Sequence, residues 1–187
     1  MSDYLTGRVL IAMPGIGDPR FDRAVVLMCA HADDHAMGVT LNHPVDGLTV
    51  PDLLERLDMK PHVPLPADPV LFGGPVDRER GFVIHTDDYI SRGSSQPVCE
   101  GMAWTATREV LLAMGDQLAR PRRSILALGY AGWGAGQLER EIQDNVWLTC
   151  DPDESLVFDA DHDLKWTKAL AKLGVSAASL SAQSGRA

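Results

Sequence analysis

Cysteine is scarce and scattered. Cys29, Cys99 and Cys150 are odd in number, far apart and mostly set in apolar, strand-like surroundings. That argues against a disulfide framework or a cysteine metal quartet and fits reduced core thiols in a cytosol. Long hydrophobic runs are missing too. No apolar stretch approaches the ~18 residues of a membrane span, and Val9–Met13 is too short to read as a secretory leader. Positive charge is in short supply: 17 Lys and Arg against 26 Asp and Glu leave a net charge of −9. Such a balance opposes adhesion to phosphate backbones or anionic membranes. The one dense basic cluster, Arg120, Arg122 and Arg123 beside Pro121, reads as a solvated connection. A G-x-S-x-G elbow, a phosphate-loop Lys-Ser/Thr pair and a helix-turn-helix signal are all missing.

What is present is a chain of 187 residues with 45% apolar content, enough for one domain with a sizeable core. Strands are expected at Gly7–Met13, Ala24–His31, Ala36–Asn42, Val70–Val76, Gly81–Thr86, Val98–Trp104, Ser124–Tyr130 and Asn145–Cys150. A short element is expected at Ser155–Phe158. Thr49, with Asp52 three residues on, is set to cap a helix carrying Leu53, Leu54 and Leu57. Thr105 is expected to cap a second, in which Val110, Leu111, Met114 and Leu118 bury together. A last helix from Asp163 to Leu173 should bury Trp166, Ala169, Leu170 and Leu173, turn Lys165, Lys168 and Lys172 outward, and stop at Gly174. Pro61 to Pro69 holds four prolines and must be an extended loop. Short strands with about four interspersed helices, not strictly alternating, favour an α+β fold.

The stretch 126–148, LALGYAGWGAGQLEREIQDNVWL, is the most distinctive. It reads as a strand, a loop with Gly129, Gly132, Gly134 and Gly136, and a short helix burying Leu138 and Ile142 with Arg140 outside. The glycines either let Tyr130 and Trp133 pack where backbones touch, the simpler reading, or free amides for an anion at a helix start. Glu139 and Glu141 lie about 160° apart on a helix, so they do not form an acid and base pair. Gln137 and Glu141 share a face. HADDH at 31–35 and HTDD at 85–88 hold nitrogen and oxygen donors without a metal-ligand spacing. Arg80 and His85 point to opposite faces of a strand; Arg80 could bind an anion or pair with Glu79 or Asp77. The ligand-binding candidates are therefore Tyr130, Trp133 and Gln137, with Asn42, the bend at Gly73, Gly74 and Pro75, and Arg80. No catalytic residue, metal or cofactor is assigned.

The blocks LIAMPGIGDPRFDRAVVLM, AMGVTLNHP, LFGGPVDRERGFVIHT and LALGYAGWGAGQLEREIQDNVWL, with SLVFD, KWTKALAKLG and LSAQSGRA near the end, resemble the YqgE/AlgH family of bacterial proteins along the whole chain. The resemblance implies a single α+β domain spanning residues 1–187, with a mixed, partly barrel-like sheet, helices packed outside, and the Ser/Ala-rich end included in the fold. The chain departs from the family at His35 and His43, where Gly and Arg are usual. The family brings no settled activity, only a transcriptional-regulator label in some members.

Three functional readings follow. The first is a non-enzymatic cytoplasmic protein that binds a small molecule or a protein partner, with a regulatory role and no membrane association. The alternative is a hydrolase-like enzyme acting on a small anionic substrate through Arg80, His85 or the glycine loop. The third, a DNA-binding regulator, is opposed by the acidic balance. Thiol titration of the denatured protein is expected to find three free groups; fewer would reveal a disulfide and overturn the reduced-compartment reading.

Overall fold

Unbroken apolar runs mark strands covered on both faces. In β1 (Val9–Ala12) and β2 (Val25–His31) alternate residues enter different cores. Val9, Ile11, Val25, Leu27 and Cys29 face inward, while Leu10, Ala12, Val26 and Met28 face the opposite layer. The computed structural model describes residues 4–184, with side chains through residue 180. After β3 (His35–Thr40) and β4 (Pro44–Thr49) comes α1 (Val50–Arg56), where Thr49 and Asp52 form the expected reciprocal cap. Then follow β5 (Pro69–Phe72), β6 (Val76–Thr86), β7 (Ser95–Cys99), β8 (Met102–Thr105) and α2 (Arg108–Met114). The rest is β9 (Ser124–Gly134), α3 (Gln137–Gln143), β10 (Trp147–Cys150), α4 (Glu154–Val157), α5 (Lys165–Lys172) and α6 (Ala177–Ser184).

The sheet order is β10-β1-β2-β3-β9-β6-β8-β7, with β4 and β5 branching off β9. It is mixed: β5 runs parallel to β9, and the other described ladders are antiparallel. The sheet curls into a half-barrel, bringing β7 at its far end against the segment before β1, where a Cβ on Gly7 would stand 2.5 Å from the Val98 carbonyl oxygen. The inner face is filled by Leu156, Val157, Trp166, Ala169 and Leu170 of α4 and α5. Leu138 of α3 covers one outer face, and α1 and α2 cover the other through Leu54, Val110, Leu111 and Met114. The domain is α+β, with six α-helices among the described residues against the four expected.

β9 is the hinge of the architecture. Its first half pairs with β6 on one edge and β5 on the other; its second half pairs with β3. The change of partner happens at Gly129, which sits at φ 76°. Here the chain crosses the Gly73–Gly74 bend at backbone contact distance. A Cβ on Gly129 would lie 2.3 Å from the Gly74 oxygen, and one on Gly74 would lie 2.1 Å from the Tyr130 carbonyl carbon. No side chain fits in either place.

Several expectations need correction. The glycine stretch after Tyr130 is strand, not loop: β9 continues to Gly134, with Ala131 and Trp133 buried and Gly132 and Gly134 exposed. Glycine hides the period-two signal there because it has no side chain to count. Val98–Trp104 is a hairpin turning at Glu100–Gly101, with Gly101 at φ 83°. Thr107, not Thr105, precedes α2, and that helix ends at Met114, which leaves Leu118 outside it and exposed. Pro44 begins a strand on a sheet edge instead of only ending one. Leu57 and Leu173 fall at helix ends and remain partly exposed, while Lys165, expected outside, is fully buried. In α3, Leu138 is buried and Arg140 exposed, as its phase requires, whereas Ile142, expected to be buried, is only half-buried. The Ser/Ala-rich end forms α6, which docks Leu180 against the inner core; what was expected beyond Ser184 lies outside the described residues.

The glycines of this stretch should therefore behave differently. Gly129→Ala combines a left-handed φ with a backbone clash and should cost at least about 3 kcal/mol. Gly134→Ala meets nothing within 4 Å and should stay within about 0.5 kcal/mol. Urea denaturation of the two variants measures this, and equal effects would contradict the backbone-crossing account.

Candidate functional site

The residues singled out from the sequence fall into separate groups. Gly73 and Gly74 meet Gly129 and Tyr130 as backbone against backbone. Trp133 and Gln137 converge on Glu141: its Oε2 accepts the indole N–H of Trp133 at 2.9 Å and that of Trp147 at 2.8 Å. Its Oε1 accepts from Gln137 Nε2 at 2.9 Å, and Gln137 Oε1 accepts the Gly134 N–H at 3.1 Å. Both indole donors of the outer layer are thus satisfied by one carboxylate, and the rings meet edge to face at 6.0 Å. Tyr130 and Arg80 belong to the other face, where both pack on Phe82, at 5.7 and 5.3 Å. Asn42 braces the start of β2, accepting from Val25 N–H at 2.9 Å and donating to the Arg23 carbonyl at 2.8 Å. Pro75 lies in the short link between β5 and β6.

His85 and His31 have structural partners. His85 is fully enclosed: Nδ1–H donates to the Thr86 carbonyl at 3.0 Å, and Nε2 accepts from Thr105 Oγ1 at 2.8 Å. Burial holds its pKa below the ordinary histidine value. With both nitrogens engaged, it has no lone pair to offer a substrate. His31 accepts the Leu5 N–H on Nδ1 at 2.9 Å and donates from Nε2 to Glu139 at 2.7 Å. No group of three or more His, Cys, Asp or Glu is placed to hold a metal ion among the described residues. The thiols are not activated: burial pushes Cys29 up to about 12 and raises Cys99 and Cys150.

A cleft lies away from all these groups. The Pro-rich loop before β5, the turn between α2 and β9, and the segment after α4 enclose about 630 Å³. Val50, Leu65, Met114, Leu126 and Phe158 give it apolar walls; Gln117, Arg120, Arg122, Arg123 and Ser124 line it with donors. The arginine turn is held firmly. Asp88 Oδ2 accepts the Arg122 N–H at 2.8 Å, and Thr86 Oγ1 accepts the Arg123 N–H at 3.1 Å. The Arg122 guanidinium forks onto Glu154 at 2.6 and 2.8 Å, which holds that carboxyl below its ordinary pKa.

Arg122 is thereby neutralised. The Arg120 and Arg123 side chains have no hydrogen bond or ion pair among the described residues. Of the two carboxylates lining the cleft, Asp159 is paired with Lys168, leaving Asp68. The lining thus keeps two guanidinium groups without a bonded partner, of which Arg123 is near enough to Glu154 to help lower its pKa, and one such carboxylate, in a chain whose net charge is −9. Three arginines in one turn were a visible signal; that the turn walls a cleft was not, because Val50, Leu65 and Phe158 come from distant parts of the chain.

A model of the AlgH-like family matches residues 9–178. The chain belongs to that family. It is 60% identical over 185 residues to a UPF0301 protein of Caulobacter vibrioides, covering 99% of this chain and 95% of the relative. The UPF0301 protein of Ruegeria pomeroyi is 49% identical, with 98% and 99% covered. Among solved structures, that of AlgH from Pseudomonas aeruginosa superposes with a TM-score of 0.76 at 39% identity, covering 100% of this chain and 98% of that one. A Corynebacterium diphtheriae protein shares the fold at a TM-score of 0.64 and 21% identity, with 84% and 81% covered. No helix of the described residues is long and apolar enough to cross a membrane.

Beside the cleft segment His162, this AlgH-like domain encloses the cation of Lys165. Its Nζ donates to the Leu41 and Val157 carbonyls at 2.8 and 2.9 Å, with no carboxylate bonded to it. Burial lowers its pKa from 10.5 to about 7, and its charge joins burial in lowering that of His162. The folded value lies below the unfolded one, so the unfolded chain binds more protons between about pH 7 and 10.5. The burial penalty is complete below that window and is relieved as pH rises through it. Lys165→Met should flatten this rise by up to about 1.4 kcal/mol per pH unit. Denaturation from pH 7 to 10 checks it, and an unchanged slope would contradict the buried-cation account.

Proposed function

We propose that this AlgH-like protein is a cytoplasmic ligand-binding protein with a regulatory role, and that its ligand is a small molecule seated in the cleft between the Pro-rich loop and the arginine turn. The carrying observation is the cleft itself. Its volume suits a small organic ligand, and it joins apolar walls to a few donors held by a rigid frame. Binding without turnover is favoured because the groups that could perform chemistry are already engaged. His85 uses both nitrogens, the thiols are raised, and Lys165 is enclosed by two carbonyls.

The glycine crossing and the Glu141 cluster belong to the frame in this reading. They hold β9, whose first residues Ser124 to Leu126 form one wall of the cleft. Recognition by Trp133 and Gln137, with Tyr130 on the other face left out, is the second location, favoured by the position of Gln137 beside the exposed Gly134.

The two locations separate cleanly in one experiment with a neutral aromatic probe, 1-naphthol. Ala160 is exposed on the cleft lining, so Ala160→Trp fills the space without touching the core. The variant should keep the wild-type melting temperature and weaken naphthol binding at least about tenfold, by loss of the apolar walls. Gln137→Ala should leave it unchanged. Binding that ignores Ala160→Trp but falls with Gln137→Ala would move the site to the glycine stretch.

A further inference from the structure

We infer that the ligand of this cleft carries a phosphate monoester group, held by Arg120 and Arg123; this rests on the cleft being the ligand site. The first support is charge. After the Arg122–Glu154 and Asp159–Lys168 pairs are set aside, the lining keeps two guanidinium groups and one carboxylate. Two guanidinium groups three residues apart, set against a single carboxylate, favour an anionic group with several oxygens.

The second support is the chemistry of the neighbours. Gln117 and Ser124 line the same cleft, and their side chains form no hydrogen bond among the described residues. Each brings donors that suit the several acceptor oxygens of a phosphate. Arginine forks match phosphate oxygens two at a time.

The third is preorganisation. Arginines on a free loop must be ordered when a ligand arrives, and that ordering weakens binding. Here the turn is fixed before any ligand is present. Pro121 is buried, the Arg122 and Arg123 amides are held by Asp88 and Thr86, and the Thr86 N–H donates to the Arg123 carbonyl at 3.0 Å. Even the neutralised Arg122 has a role, because its fork ties the turn to α4.

The apolar walls complete the ligand class. Phe158, Leu65, Pro66 and Pro121 offer flat or aliphatic surface in the same cleft lining. A phosphorylated molecule with a ring or short apolar body fits both features; inorganic phosphate would use only one. His162 adds no competing positive charge, since burial and Lys165 hold its pKa below the ordinary value.

The test uses a matched pair, 1-naphthol and 1-naphthyl phosphate, which differ only in the phosphoryl group. At low salt the phosphate should bind the wild-type protein at least about tenfold more tightly than the alcohol, with the advantage shrinking as salt rises. Arg120→Ala/Arg123→Ala alters exposed side chains and should abolish that advantage, bringing the affinities of the phosphate and the alcohol within about twofold of each other. Arg140→Ala, an exposed arginine on α3, should preserve it. Equal affinities in the wild type, or an advantage that survives the double variant, would overturn the phosphate assignment. If naphthol binding persists and remains sensitive to Ala160→Trp in that case, the ligand site stands and only its chemistry has failed. If naphthol ignores Ala160→Trp, the cleft reading itself falls, and this inference with it.

Discussion

Two stretches of backbone pass each other at Gly74 and Gly129 closer than any Cβ allows, and the architecture depends on that crossing. β9 must serve two half-sheets, one built with β6 and β5, the other with β3. The left-handed residue at 129 shifts the pleat between them. Ala127 and Tyr130 both reach the inner core, while Ala131 and Trp133 turn to the outer layer. Only after that shift can Trp133 meet Trp147 over Glu141, and only then does α3 land with Leu138 against the sheet. The start of the same strand forms a wall of the cleft. Frame and site thus share one element.

Polar groups in the interior follow a consistent logic. A buried donor or acceptor left alone costs about 1–3 kcal/mol, and this domain spends single side chains on several orphans at once. Glu141 satisfies two indoles and an amide. Asn42 ties two points of one loop. Lys165 serves two carbonyls where strand and helix ends converge. The last is the expensive case, because a cation enclosed without a carboxylate bears its desolvation largely uncompensated. The cleft differs: its two free guanidinium groups remain exposed, so they carry little desolvation cost until something covers them.

Periodicity made most of the strands legible, and the Thr49–Asp52 pair marked its helix to the residue. The family resemblance carried the half-barrel and the docked Ser/Ala-rich end, which composition alone would have released as a frayed tail. What failed did so for local reasons. Glycine erased the alternation after Tyr130, a tight Glu100–Gly101 turn hid inside an apolar run, and Lys165 looked like any outward lysine of an amphipathic helix. The ligand-binding candidates visible in the sequence lie where it is unusual. Unusual residues here include those of a difficult crossing, whereas the cleft is assembled from ordinary ones, such as Leu65, Met114 and Phe158, that nothing local brings together.

The shared strand also governs how the chain is made. β3 leaves the ribosome with its edge unpaired and waits for β9, whose residues follow roughly ninety positions later, a separation typical of slow, non-local pairing. In that interval β1 and β2, apolar on both sides, have neither their inner filling from α4 and α5 nor their outer cover from α3. An N-terminal fragment therefore cannot act as an independent folding unit. It is a sticky intermediate with an open edge, the kind of species that chaperones shield during synthesis. Splitting or permuting the chain between β3 and β9 would lengthen that exposure.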